Sequence, residues 1–152
     1  MHDYRDGKAQ VAQTTEGCVF GNYPTTHALA GAGLVSTIDD YKNFVTMLLD
    51  GGVFKGRRIL SQEMIDQMAT PQIKDPIQKG RSLWGLGVRV IVDEKDILPL
   101  GTFGWSGAYG THFWIDPENN ILAIYMKNSR FDGGSHAVTG RNFELDVYSA
   151  LS

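Results

Sequence analysis

Residues 104 to 128, GWSGAYGTHFWIDPENNILAIYMKN, constrain what this chain can fold into more than any other stretch. An aromatic run ending at Trp114-Ile115 and an apolar run beginning at Ile121 flank Asp116-Pro117-Glu118-Asn119-Asn120. Aromatic and β-branched residues on both sides of a Pro/Asn cluster read as two antiparallel strands, about 109 to 116 and 121 to 128. Ahead of them Trp84, Leu86, Val88 and Val90 alternate with Gly85, Gly87 and Arg89, the period-2 pattern of a third strand. Gly85 and Gly87 leave one side of that strand bare, where a backbone or ligand can approach closely. The expectation is an antiparallel meander of about three strands.

The segment before the meander is helical. Ser36-Thr37-Ile38-Asp39 is close to a capping box, with Asp39 where Glu or Gln is usual. Ile38, Tyr41, Phe44, Val45, Leu48 and Leu49 then recur at helical spacing, and Gly51-Gly52 supplies a stop. Residues 53–57 read as a short connection. Ser61 is a second N-cap, Glu63 suits the positive helix start, and Met64, Ile65 and Met68 form a narrow apolar face before Thr70-Pro71. Residues 72–82 are polar and read as an exposed loop. At the far end Phe143, Val147 and Leu151 recur every four residues, as in a terminal helix packed on the sheet. Helices, then strands, then a helix point to an α+β fold. The chain is read as one domain, 1–152: a loop-rich lead-in with at most one short strand (1–33), a helical pair (34–71), antiparallel strands (82–130) and a terminal helix (135–151).

Composition narrows the function classes. At 152 residues and 16.8 kDa the chain fits one domain with a real core. No apolar run approaches the roughly 20 residues that span a bilayer. A net charge of -3 offers no basic stripe for phosphates, so nucleic acid is not an expected partner. Cys18 stands alone, without a disulfide partner or a thiolate cluster, and reads as a small apolar residue. His2, His27, His112 and His136 are scattered, with no pair one helical turn apart, so no metal is expected. The glycines contain no phosphate-loop ending, and no cofactor is expected. The polar start, MHDYRDGKAQ, lacks the apolar core of a secretory signal. As given, the chain is expected in the cytoplasm, with a periplasmic or extracellular site open to a longer parent.

Gly104-Trp105-Ser106-Gly107-Ala108 nearly satisfies G-x-S-x-G, the nucleophile elbow of α/β-hydrolases. That elbow needs a helix after the serine, whereas Tyr109 to Ile115 reads as strand. His112, His136, Asp116 and Asp132 show no spacing that selects a triad. Ser106 is therefore either a nucleophile in an unusual setting or the lining of a site whose nucleophile lies elsewhere.

Larger fragments carry a resemblance. Gly31-Ala32-Gly33-Leu34-Val35-Ser36-Thr37-Ile38-Asp39-Asp40, Leu48-Leu49-Asp50-Gly51-Gly52, Leu60-Ser61-Gln62-Glu63-Met64 and Thr70-Pro71 follow one another, and Trp84-Gly85-Leu86-Gly87 comes next. Phe103 to Thr111 and Trp114-Ile115-Asp116-Pro117-Glu118 complete the series. Over about residues 17 to 130 this order resembles the serine β-lactamase-related hydrolases: class C β-lactamases, D-Ala-D-Ala carboxypeptidases (penicillin-binding proteins) and related esterases. The resemblance implies a partial β-lactamase/transpeptidase-like fold. It places the family's third active-site motif, Lys-Thr-Gly or His-Thr/Ser-Gly, on Trp105-Ser106-Gly107. By that mapping Ser106 offers a hydroxyl to the substrate, Gly107 lets the acyl group lie against the strand, and the Ala108 backbone N–H is an oxyanion-hole donor. Trp105 and Tyr109 would border the substrate. Trp105 replaces a cation, as in the esterase-like members.

The same mapping shows what is missing. The family's nucleophile and base come from Ser-x-x-Lys, and no serine here is followed by Lys three residues later. Tyr41-Lys42-Asn43 fits the family's Tyr-x-Asn literally but sits on the apolar face of a helix, where Tyr41 reads as core. The resemblance therefore implies a C-terminal part of such a hydrolase, inactive alone. Its substrate would be a small acyl compound (ester, amide or β-lactam) bound once an N-terminal half completes the site. An open strand edge would favour a homodimer or association with that half. Two alternatives stay open: a non-catalytic binding module using Trp84, Trp105, Tyr109 and Trp114, and an esterase with Ser106 as nucleophile.

Overall fold

The computed structural model describes residues 2–5, 8–11, 34, 36–73, 82–127, 132 and 137–151. Cys18, His27 and His136, most of the 1–33 lead-in, the middle of the 72–82 loop, and Asn128 lie outside them. The architecture is α+β, as the element order implies.

A first hairpin pairs β1 (His2–Arg5) with β2 (Lys8–Val11), two strands where the sequence suggested at most one. Helix α1 (Ile38–Leu49) follows, capped by Thr37, whose side chain accepts from the Asp40 N–H at 3.2 Å. The cap thus sits one residue later than the Ser36/Asp39 box expected. Gly52 N–H donates to Met47 O (2.8 Å) and Gly51 N–H to Leu48 O (3.2 Å), with positive φ of 61° at Gly51. That is a Schellman stop, which only a residue tolerant of left-handed backbone supplies cheaply. The connection after it is a hairpin, β3 (Val53–Phe54) with β4 (Arg57–Arg58), turning through Lys55 and Gly56, both at positive φ. Helix α2 (Gln62–Met68) starts where Ser61 caps the Met64 N–H.

The central sheet has five strands in the order β5-β6-β7-β8-β9: Ser82–Trp84, Arg89–Ile91, Phe103–Ser106, His112–Asp116 and Ile121–Tyr125, all antiparallel. Two strands therefore join the expected three. The alternating run 84–90 is a hairpin rather than one strand, because Gly87 takes φ of 74° and Gly85 N–H donates to Val88 O at 2.9 Å. Leu86 is consequently exposed. The bare side expected at Gly85 is real: the Met68 carbonyl fills the space of its absent side chain and accepts from the Leu86 N–H at 3.1 Å. Strand β7 was not separated from its neighbours by periodicity, since Phe103-Gly104-Trp105-Ser106 is only four residues long and contains a glycine.

Helices cover the sheet on both faces. On one, Val45, Met47, Leu48 and Ile65 pack on Val88, Val90, Phe103, Phe113 and Ile115. Fully burying each such aliphatic side chain contributes about 1.5–3 kcal/mol. Met47 was absent from the expected helical stripe, while Ile38, Phe44 and Met64, which were in their helices' stripes, stand largely exposed. On the other face α3 (Val138–Ser149) lays Phe143, Val147 and Tyr148 on Ile91, Leu98, Trp114 and Ala123. Leu151, expected on that stripe, is exposed. Strand β8 is buried along its whole length between the two layers.

Candidate functional site

Strands β7 and β8 meet at a tight turn, and every candidate site residue lies on or beside it. Trp105 pairs with Phe113 and Ser106 with His112, the last cross-strand pair before the turn. Because strand side chains alternate, Trp105 and Ser106 leave the sheet on opposite faces.

Trp105 faces the helical pair and is half-buried, its ring centroid 4.5 Å from that of Trp84. Beside it opens a cavity of about 320 Å³ lined by Leu34, Tyr41, Trp105, Gly107, Phe113 and Ile124, among others. Tyr41 packs edge-on against Phe113 with centroids 5.2 Å apart, so it is a core tyrosine that also borders the cavity. Burial raises its phenol above the ordinary value.

The turn itself is closed by Gly107 N–H to Thr111 O (2.7 Å) and Gly110 N–H to Gly107 O (2.9 Å). Gly110 has φ of 90°, and Lys127 occupies the space a side chain there would need. Ala108 stands exposed at the crest, and among the described residues its amide N–H donates to no backbone group. Tyr109, next along, is half-buried. The expected set Trp105, Ser106, Gly107, Ala108 and Tyr109 is thus contiguous, with Ser106 turned away from the cavity.

Ser106 instead enters a buried polar chain. Its Oγ lies 2.9 Å from His112 Nδ1, and His112 Nε2 lies 2.9 Å from Glu144 Oε1 on α3. Arg89 reaches the same oxygen at 3.3 Å, and Arg141 donates to Glu144 Oε2 at 2.6 Å and to Asp96 at 2.8 Å. Ser106, His112, Glu144 and Arg89 are each under a tenth exposed. The two guanidiniums balance the two carboxylates, which is what permits four charges in so dry a place. Burial alone would raise the Asp96 carboxyl; hydrogen bonds from Arg141 and the Leu98 and Ile97 amides outweigh it and hold the group below the ordinary carboxylate value.

Hydroxyl, imidazole and carboxylate in line have the makings of a serine triad, yet the surroundings deny it a substrate. The space beside Ser106, His112 and Glu144 is about 10 Å³, room for one water. Strand β7 also runs through a turn into β8, not into a helix, so the elbow geometry is absent. Of the carboxylates weighed from sequence, Asp116 is fully buried and takes hydrogen bonds from Asn119 and, at 2.6 Å, from the Tyr148 hydroxyl. Asp132 caps α3 through the Val138 and Thr139 amides, both at 2.7 Å. Glu144 is the acid that reaches His112, and sequence reasoning missed it. Trp114 is fully buried, which removes it from any set of contact residues. Among the described residues no three His, Cys, Asp or Glu side chains gather to hold a metal ion, and no helix is long and apolar enough to cross a membrane.

Comparison with known proteins agrees with this architecture. A family model described as Beta-lactamase matches residues 2–145. Two relatives from Mycobacterium tuberculosis, Uncharacterized protein MT1414 (strain CDC 1551 / Oshkosh) and Protein Rv1367c (strain H37Rv), are each 37% identical over 118 residues. Those matches cover 68% of this chain and 29% of each relative, so the chain spans under a third of the length of the curated relatives it matches. Among solved structures, EstCE1, a hydrolase with promiscuous acyltransferase activity, superposes with a TM-score of 0.57 at 23% identity, over 70% of this chain and 29% of that one. That superposition shows a shared fold. With the family model matching almost the entire length, the chain belongs to the β-lactamase family.

Proposed function

We propose that this chain is the C-terminal part of a β-lactamase-like serine hydrolase and supplies one wall of a site that transfers an acyl group to water. The observation that carries the reading is the Ala108 amide, exposed at the crest of the β7–β8 turn with no backbone acceptor among the described residues, next to an apolar cavity of about 320 Å³. An N–H so placed can steady the oxyanion of a tetrahedral intermediate, a contribution of about 3–4 kcal/mol where such donors have been removed. Trp105 and Gly107 line the cavity as the acyl-binding surface, and Tyr109 follows Ala108 on the turn beside it. Ser106 is an indirect member: its side chain leaves the face of the sheet opposite the cavity, where its hydroxyl is held by His112. With Trp105 in place of a cation, the reading favours uncharged esters and amides over substrates recognised by a carboxylate.

An acyl-enzyme cycle needs an attacking group and a base, and the Ser-x-x-Lys that provides them in the family is absent from this sequence. The chain alone is therefore inactive in this reading, and an N-terminal portion completes it. Strand β9 supports the partnership, since among the described residues it ends the sheet and pairs with β8 alone. Light scattering should find a homodimer, or a complex with the N-terminal portion, and a lone 16.8 kDa species in both preparations would contradict that. The activity test is turnover of a chromogenic ester and a chromogenic cephalosporin. None is expected from the chain alone, and turnover is expected once a segment bearing Ser-x-x-Lys is joined to it. Continued silence of a folded, completed protein, including toward other esters and amides, would refute acyl transfer and favour a binding module.

A further inference from the structure

The buried chain from α3 fixes the direction of one proton. Glu144 receives Arg89 and Arg141 and acts as an acceptor, so the hydrogen between it and His112 belongs to Nε2. A neutral imidazole then has an unprotonated Nδ1, and the Ser106 hydroxyl, 2.9 Å away, must donate to it. Ser106 and His112 are the pair that closes the ladder on either side of the Gly107–Thr111 turn. That turn holds two glycines and, at its crest, an exposed alanine; Tyr109 is half-buried and partnered, Lys127 lies over Gly110, and Ser106 and His112 hold the two ends. Both ends lead to one carboxylate on a helix that Asp132 and Asp96 tie down in turn.

We infer that Glu144 and His112 are positioning residues for the Ala108 amide: they lock the Ser106 hydroxyl as a donor and thereby clamp the turn that presents the amide. This rests on the acyl-transfer reading for its purpose, though not for its geometry. Ser106 is polarised much as a triad serine is, yet its task is to hold the strand ends together, because the space beside it among the described residues is about 10 Å³, too small for a substrate. A specific consequence follows for substitution. Ser106→Thr keeps the hydroxyl and should keep the clamp, whereas Ser106→Ala removes the donor and leaves Nδ1 unpaired in a buried place.

Long-range 1H–15N spectra at mildly alkaline pH report the His112 tautomer directly, and the Ala108 amide cross-peak reports the turn. The expected result is the Nε2–H tautomer in the unaltered chain. In Ser106→Ala the Ala108 cross-peak should move by more than its linewidth, and in Ser106→Thr it should return. Glu144→Gln should yield a mixture of tautomers, since an amide can donate as well as accept. An Nδ1–H tautomer in the unaltered chain, or an Ala108 cross-peak indifferent to Ser106→Ala, would overturn the clamp. Should Glu144→Gln fail to fold, the two Ser106 variants still decide. Acyl transfer stands or falls separately: a completed protein without turnover sinks that reading and leaves the tautomer intact, and the wrong tautomer sinks the clamp and leaves turnover intact.

Discussion

The two faces of the central sheet are built on different principles. The face under α1 and α2 is an apolar layer of Val45, Leu48, Ile65, Phe113 and Ile115 that opens into the cavity beside Trp105. The face under α3 begins as an apolar layer around Trp114 and Phe143, then changes at the site end into a fully buried chain of Arg89, Glu144, His112 and Ser106. Apolar contact has no direction and tolerates adjustment, so it suits the back wall of a cavity that, under the proposed acyl transfer, admits varied acyl groups. Hydrogen-bonded charge has one geometry, and it lies behind the turn that carries the proposed oxyanion-side amide.

The largest effect expected from this contrast is at Glu144. Glu144→Ala strands a buried Arg89 and removes a partner from Arg141 and His112, so it should cost about 3–5 kcal/mol in denaturant unfolding. Leu48→Ala on the opposite face should cost about 3 kcal/mol, through lost burial and the cavity left behind. A Glu144→Ala chain as stable as the unaltered one would show that the polar face is not structurally coupled as described. A smaller difference should appear with pH. Asp96 has a carboxyl held below its ordinary value, so its contribution is full above the ordinary carboxylate pKa and is lost as pH falls through the lowered one. Unfolding free energy should therefore decline on acidification, and Asp96→Asn should flatten that decline. Leu48→Ala, by contrast, should shift the curve without changing its slope.

The same contrast explains what the sequence disclosed. The apolar layers on both faces were readable because periodicity is local: α1, α2 with its Ser61 cap, β8, β9 and the Phe143/Val147 stripe of α3 follow from spacing within a few residues. Where a single φ decides the outcome, spacing misled, as at Gly87, which turns an alternating run into a hairpin. The polar face was unreadable because its members are far apart in the chain. Glu144 is 32 residues from His112 and 55 from Arg89, and it sits one position off the Phe143/Val147 stripe, where a helix ordinarily meets water. A signal did exist. The hairpin register places His112 opposite Ser106, and a histidine buried in a sheet requires a partner. The candidate residues around Ser106 came from motif likeness alone, first to G-x-S-x-G and then to the family's third motif, since Trp105-Ser106-Gly107 carries no periodic signature of its own.

In the proposed reading this chain holds a cleft wall and an oxyanion-side amide but no attacking group, and intact-mass analysis after exposure to a serine-directed organophosphonate is the decisive check. The mass should stay at 16.8 kDa, with Ser106 unmodified behind its bond to His112. A stoichiometric adduct on Ser106 in the folded chain would contradict it.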